Sequence, residues 1–213
     1  MLTVVMAVGS VVASLLASPT AAQPQKPPPP TDTVTIGIVK VHGSGCRPHT
    51  ASVAVSLDNT AFTVSYSAYL AQVGVGAKKN DYRKDCQLKV KLDVPRGSSF
   101  AIGQVDYRGF AHLERGATSL ERANFRFQGS AETPLVTHPL SGPFEDDWQA
   151  TDSADSLAYA PCGKTHHLDI GTEVQVDAGS SNTAKTTSFM SMDSTDGSVE
   201  TKTTYHLVWK PCR

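Results

Sequence analysis

The sequence has no excess of either charge: 19 Lys and Arg stand against 20 Asp and Glu in 213 residues. A near-neutral chain offers no electrostatic footprint for nucleic acid and no strong pull toward an anionic membrane. Charged residues of either sign are scarce, at 18% against roughly 25% in ordinary soluble domains. C-x-x-C spacing is missing, which removes the usual structural zinc and thioredoxin-like redox motifs. No G-x-S-x-G presents a serine nucleophile, and no glycine-rich loop follows a strand to cradle phosphates. No segment keeps apolar residues at i, i+3, i+4 and i+7 for three turns, so long amphipathic helices are excluded. Neither a cofactor nor a metal is expected from this inventory.

Long apolar runs are absent too, except at the start. "MLTVVMAVGSVVASLLASPTAAQ" carries no charge, and Thr20 and Ala22 occupy the −3 and −1 places of a cleavage site. Residues 1–22 therefore read as a secretory signal peptide, although the usual basic n-region is missing. Serines and Pro19 interrupt a run already short for a membrane span. The expected product is secreted, extracellular and free of membrane spans. Residues 23–33 follow as a Pro-rich tether, "QPQKPPPPTDT", extended and without backbone donors at its prolines. Residues 34–213 are left as one domain.

Four cysteines, an even count in an exported chain, point to two disulfides. Three pairings are open; the sequential one, Cys46–Cys86 and Cys162–Cys212, is expected. Each bond closes a loop of about 40 to 50 residues, worth roughly 4 kcal/mol in the chain-entropy model.

Period-two alternation dominates the rest. Ala51, Val53, Val55 and Leu57 share one face; after Asp58-Asn59, so do Phe62, Val64 and Tyr66. Asp and Asn tolerate positive φ, so this pair of runs reads as a tight hairpin. Leu88, Val90, Leu92 and Val94 form the clearest strand, ended by Pro95 and Gly97. Further strands are expected at 34–41, 100–107, 124–128, 167–176, 187–192 and 204–209. Residues 118–123 are the best short helix, and 68–85 and 134–160 read as long loops. About nine short strands with polar outer faces predict an antiparallel β-sandwich, with a partly closed β-barrel as the alternative.

Several stretches carry a resemblance: "GSGC" (43–46), "SLDNTAFTVSYSAYLAQVG" (56–74), "RKDCQL" (83–88), "DYRGFAHL" (106–113), "SFMSMDSTDGS" (188–198) and "WKPC" (209–212). Together they resemble a secreted family of bacteria and fungi described only as domain of unknown function 4360. The resemblance implies an exported, cysteine-containing domain and carries no catalytic residue onto this chain.

Candidate chemistry is sparse. Cys162, His166 and His167 suggest a metal site, but on a strand His166 takes core parity while His167 points outward with Asp169 and Glu173, and Cys162 is needed for a disulfide. Asp193 and Asp196 lack the full EF-hand spacing and read as a turn. Glu145, Asp146 and Asp147 beside Trp148 form a possible acidic site; adjacent residues do not face each other across a cleft as glycosidase acids must. Tyr69, Trp148 and Tyr159, in the expected loops, are possible ligand-binding rings. The reading is a non-catalytic extracellular binding or structural module, with cell-wall or extracellular polysaccharide or a surface protein as partner. The alternative is a secreted hydrolase of polysaccharide or protein that uses loop carboxylates.

Overall fold

The alternating runs pair as twelve antiparallel strands in a computed structural model that describes residues 27–130, 133–192 and 202–212. Five make one sheet, in the order β1 (Thr35–His42), β5 (Arg83–Asp93), β10 (Thr165–Asp177), β7 (Thr118–Phe127), β8 (Val136–Ser141). The second sheet runs β2 (Ala51–Val55), β3 (Ala61–Tyr66), β12 (Lys202–Pro211), β6 (Ser98–Leu113), β11 (Thr187–Ser191), β4 (Leu70–Gly74), with β9 (Phe144–Ser153) also on β6. Asp106 of β6 lies opposite both Thr204 and Thr151, and Phe110 opposite both Ser191 and Asp147. Strands β11 and β12 therefore follow end to end along one edge of β6, and β9 takes the other. The sheets stay separate, so this is a sandwich and not the barrel alternative.

Inward positions of both sheets fill the core as the alternation requires. Leu88, Val90 and Leu92 meet Phe62, Val64, Tyr205 and Trp209 between the layers, and all are buried. Phe62 stacks on Tyr205 with centroids 4.6 Å apart. The β2–β3 turn forms at Asp58-Asn59, with Asn59 at φ 55°. Its amide donates to the carbonyls of Pro30 (2.9 Å) and Asp32 (3.0 Å), and its own carbonyl accepts from Trp209 Nε1 at 2.8 Å. One turn residue thus pins the end of the proline-rich segment to the sandwich.

Both disulfides take the sequential pairing, Cys46–Cys86 and Cys162–Cys212. The first is fully buried; Cys162 is exposed.

Several expectations need correction. Among the described residues there are twelve strands where about nine are legible. The expected helix at 118–123 is the first half of β7, the expected loop 68–85 contains β4, and 134–160 contains β8 and β9. Leu57 does not continue the inward face: the chain turns after Val55, where Ser56 Oγ and Asp58 bond each other, and Leu57 is fully exposed. The signal-peptide segment and the Asp193–Gly197 turn lie outside the described residues.

Candidate functional site

The two outer faces differ in character. On the five-stranded sheet the carboxylates are spoken for. Asp169 sits between Lys89 and Arg126, and Glu173 between Arg83 and Arg122. Burial disfavours the Glu173 charge, but the two guanidinium groups outweigh it and hold its carboxyl below the usual range. The outward trio of His167, Asp169 and Glu173 is part of this ion-paired surface. His166 is buried, its Nε2 3.0 Å from the Gly163 carbonyl and its ring edge-on to Phe100.

On the other sheet, alternation along β6 turns Arg108, Phe110 and His112 outward, while Tyr107, Ala111 and Leu113 go in. Register sets Phe189 of β11 beside His112, Asp147 of β9 beside Phe110, and Glu145 beside His112. The rings touch: Phe110 and Phe189 have centroids 5.9 Å apart, and His112 lies nearly parallel to Phe189 at 5.8 Å. His112 Nδ1 is 3.6 Å from Glu145 Oε1. The result is a strip of partly exposed rings rimmed by the carboxylates of Glu145 and Asp147. Sequence reasoning singled out the acids but missed the rings. An outward Phe at period two was the available signal.

The other candidate residues fall elsewhere. Tyr69 is fully buried, edge-on to Tyr66, with its hydroxyl 3.1 Å from Thr172 Oγ1. Trp148 is 4% exposed and its Nε1 donates to the Ser191 carbonyl at 3.3 Å. It packs on Gly109, where a Cβ would collide with the indole and with that same carbonyl. Both rings belong to the core: β9 gives Trp148 an inward slot, and Tyr69, in the connection just before β4, folds its ring inward. Tyr159 is partly exposed, with Lys210 Nζ 4.0 Å above its ring. Asp146 Oδ1 accepts from the Asp147 amide.

A second polar group lies between the sheets, and nothing in the sequence reading anticipated it. Glu121 takes an inward slot of β7 and is fully buried. His138, its register partner on β8, reaches Glu121 Oε2 with Nδ1 at 2.6 Å. Both carboxylate oxygens of Asp152, on the opposite sheet, lie 3.3 Å from Nε2 of the same imidazole. Tyr107 packs against the ring at 5.0 Å. The bond to Glu121 raises the His138 pKa, although burial opposes it. Burial pushes Glu121 up, and His138 partly offsets this. Beside this group a cavity of about 300 Å³ opens between β6, β7 and the chain around Pro134 and Ala154.

Neither place assembles a glycosidase pair. Glu145 and Asp147 sit two apart on one strand, about 7 Å along it, and face outward side by side. Glu121 and Asp152 come from different sheets, but an imidazole fills the space between them where a substrate bond would have to lie.

Fold and sites together define an all-β, disulfide-stapled sandwich with one ion-paired face and one ring-bearing face. The chain belongs to the family described as Domain of unknown function (DUF4360), whose model matches residues 32–212. It is 32% identical over 186 residues to an "Uncharacterized secreted protein" of Arthroderma benhamiae, covering 86% of this chain and 74% of that one. The solved structure of TmCBM61 in complex with β-1,4-galactotriose spans 85% of this chain and 90% of its own, at 12% identity and a TM-score of 0.27. A superposition that loose has no bearing on function. Among the described residues no helix is long and apolar enough to cross a membrane.

Proposed function

We propose that this protein is an extracellular, non-catalytic binding module that holds polysaccharide on the outer face of the β6–β9–β11 sheet. The observation that carries the reading is the contact strip of Phe110, Phe189 and His112 on a solvent face, rimmed by Glu145 and Asp147. Sugar rings present C–H faces that stack on aromatic side chains, and hydroxyl groups that donate to carboxylates at the rim. The opposite outer face is ion-paired instead, its Asp169 and Glu173 matched by Lys89, Arg126, Arg83 and Arg122.

The test is retention of the folded protein on insoluble and soluble cell-wall glycans. Phe110→Ala with Phe189→Ala should weaken binding by about tenfold or more while the melting temperature holds, since neither ring is in the core. Trp148→Ala is the wrong control, because it opens the core. Retention that is unchanged in the double variant, or wild-type protein that no glycan retains, defeats the reading.

A further inference from the structure

The cavity between the sheets supports a second site, independent of the glycan-binding reading because it shares no residue with the outer ring strip. Its walls are apolar: Ile102 and Val105 of β6, Ala123 and Phe125 of β7, and Val136 of β8. Its volume, about 300 Å³, is at the lower end for ligand pockets, room for one ring and a short chain. Among the described residues its lining carries two carboxylates, Asp152 and Asp155, and no Lys or Arg.

The charge beside it is also unbalanced. Glu121 and Asp152 share the His138 imidazole, at 2.6 Å from one and 3.3 Å from the other, and it can neutralise only one of them; the exposed Asp155 adds a further carboxylate at the mouth. Glu121 Oε1 is buried without a hydrogen-bond partner, and Asp152 Oδ2 is buried with only the 3.3 Å ion-pair contact to the shared His138 imidazole. Buried carboxylate oxygens without donors are costly, and a cation or strong donor delivered at Asp152 relieves that cost. We infer that this cavity binds a small molecule with an apolar body and a single ammonium end, the body between Val105, Phe125 and Val136 and the ammonium on Asp152. An anionic ligand of the same shape is rejected by the same carboxylates.

The test uses three probes of one shape, 2-phenylethylammonium, 2-phenylethanol and 3-phenylpropanoate, titrated into the folded protein at pH 6.5 and followed by amide NMR. The ammonium should saturate with shifts centred on Ile102, Val105 and Phe125. The alcohol should bind about tenfold more weakly, and the carboxylate should cause no saturable shift. Asp152→Asn should remove most of the preference for the ammonium. Ala154→Trp, at an exposed position on the rim, should block the ammonium and leaves the Asp152 contacts and the core untouched. Equal binding of the three probes, no saturable shift at these residues, or full ammonium binding by the Trp variant overturns the assignment.

Discussion

At the scale of single residues, the least expected feature is a glutamate in a core slot. Desolvating an unpaired carboxylate costs several kcal/mol, so Glu121 is tolerable inside only because His138 Nδ1 meets it at 2.6 Å. Removing the imidazole should therefore cost more than removing the pair. His138→Leu is expected to destabilise the fold by about 3 kcal/mol, whereas combining it with Glu121→Leu should cost distinctly less than the sum of the two single changes. Urea unfolding of the four proteins measures the coupling. Additive effects would show that the contact contributes nothing. Glu121 also explains why β7 looked helical. In "TSLERANFRF" the inward face is Ser119, Glu121, Ala123, Phe125 and Phe127. Two polar residues in inward slots erase the period-two signal, leaving Leu120 and Ala123 at helical spacing. The residue that builds the interior polar group thus hid both its strand and itself.

At the scale of elements, legibility follows how strictly a strand sorts its side chains. Strands β3, β5, β10 and β12, central or flanked on both edges, alternate apolar and polar residues and were readable with their faces correct. Among the described residues strand β9 pairs along one edge only, with β6, and it carries Glu145, Asp146 and Asp147 near its start. Such charges guard an open edge against pairing with another chain, and they read in sequence as a loop. That misreading placed Trp148 on an imagined loop and offered it as a ligand ring, whereas Tyr69 does lie in a connection, just before β4, but turns its ring into the core. The platform rings Phe110 and Phe189 drew no notice because each is one residue of an otherwise ordinary strand. The two disulfides also belong to this scale. Cys46–Cys86 ties the β1–β2 connection to β5 and is fully buried, while Cys162–Cys212 ties the chain before β10 to the end of β12 and includes an exposed sulfur residue. Thiol attack needs access. Under graded dithiothreitol in native buffer, alkylation and mass mapping should find Cys162 and Cys212 labelled well before Cys46 and Cys86. Simultaneous labelling would mean the sandwich opens as a unit before either bond reacts.

At the scale of the whole molecule, the titrating groups divide by sign. Asp58, held by Ser56 and Thr60, and Asp81, held by Lys84, are both lowered to about 2. Asp93, bonded by Thr165 and Lys91, is also lowered. Groups of this kind stabilise the fold above their ordinary value of 3.8, and that contribution is lost as the pH falls toward 2. His138 has the opposite sign. The charged and titratable groups that face it are Glu121 on β7, Asp152 on β9 and Tyr107 on β6. Its folded pKa is raised above 6.5, so its contribution is complete below 6.5 and is lost as the pH rises through the folded value. Glu121, raised from 4.5 by burial, pulls in the same direction from a lower starting point. His166 works against them, since burial lowers its pKa, but its contribution is complete once the unfolded imidazole has lost its proton, about a unit above the ordinary 6.5. The decline in stability above about pH 6.5 is therefore assigned to the Glu121–His138 pair. Urea midpoints should rise from pH 2 to about 4, and fall between about pH 6.5 and 8.5. In the Glu121→Gln/His138→Gln double variant the acid limb should persist while the alkaline limb flattens, since His138→Gln alone leaves Glu121 buried with its pKa pushed further up. A double variant that still loses stability across that alkaline range would place the responsible proton elsewhere and remove the imidazole's role in joining the two sheets.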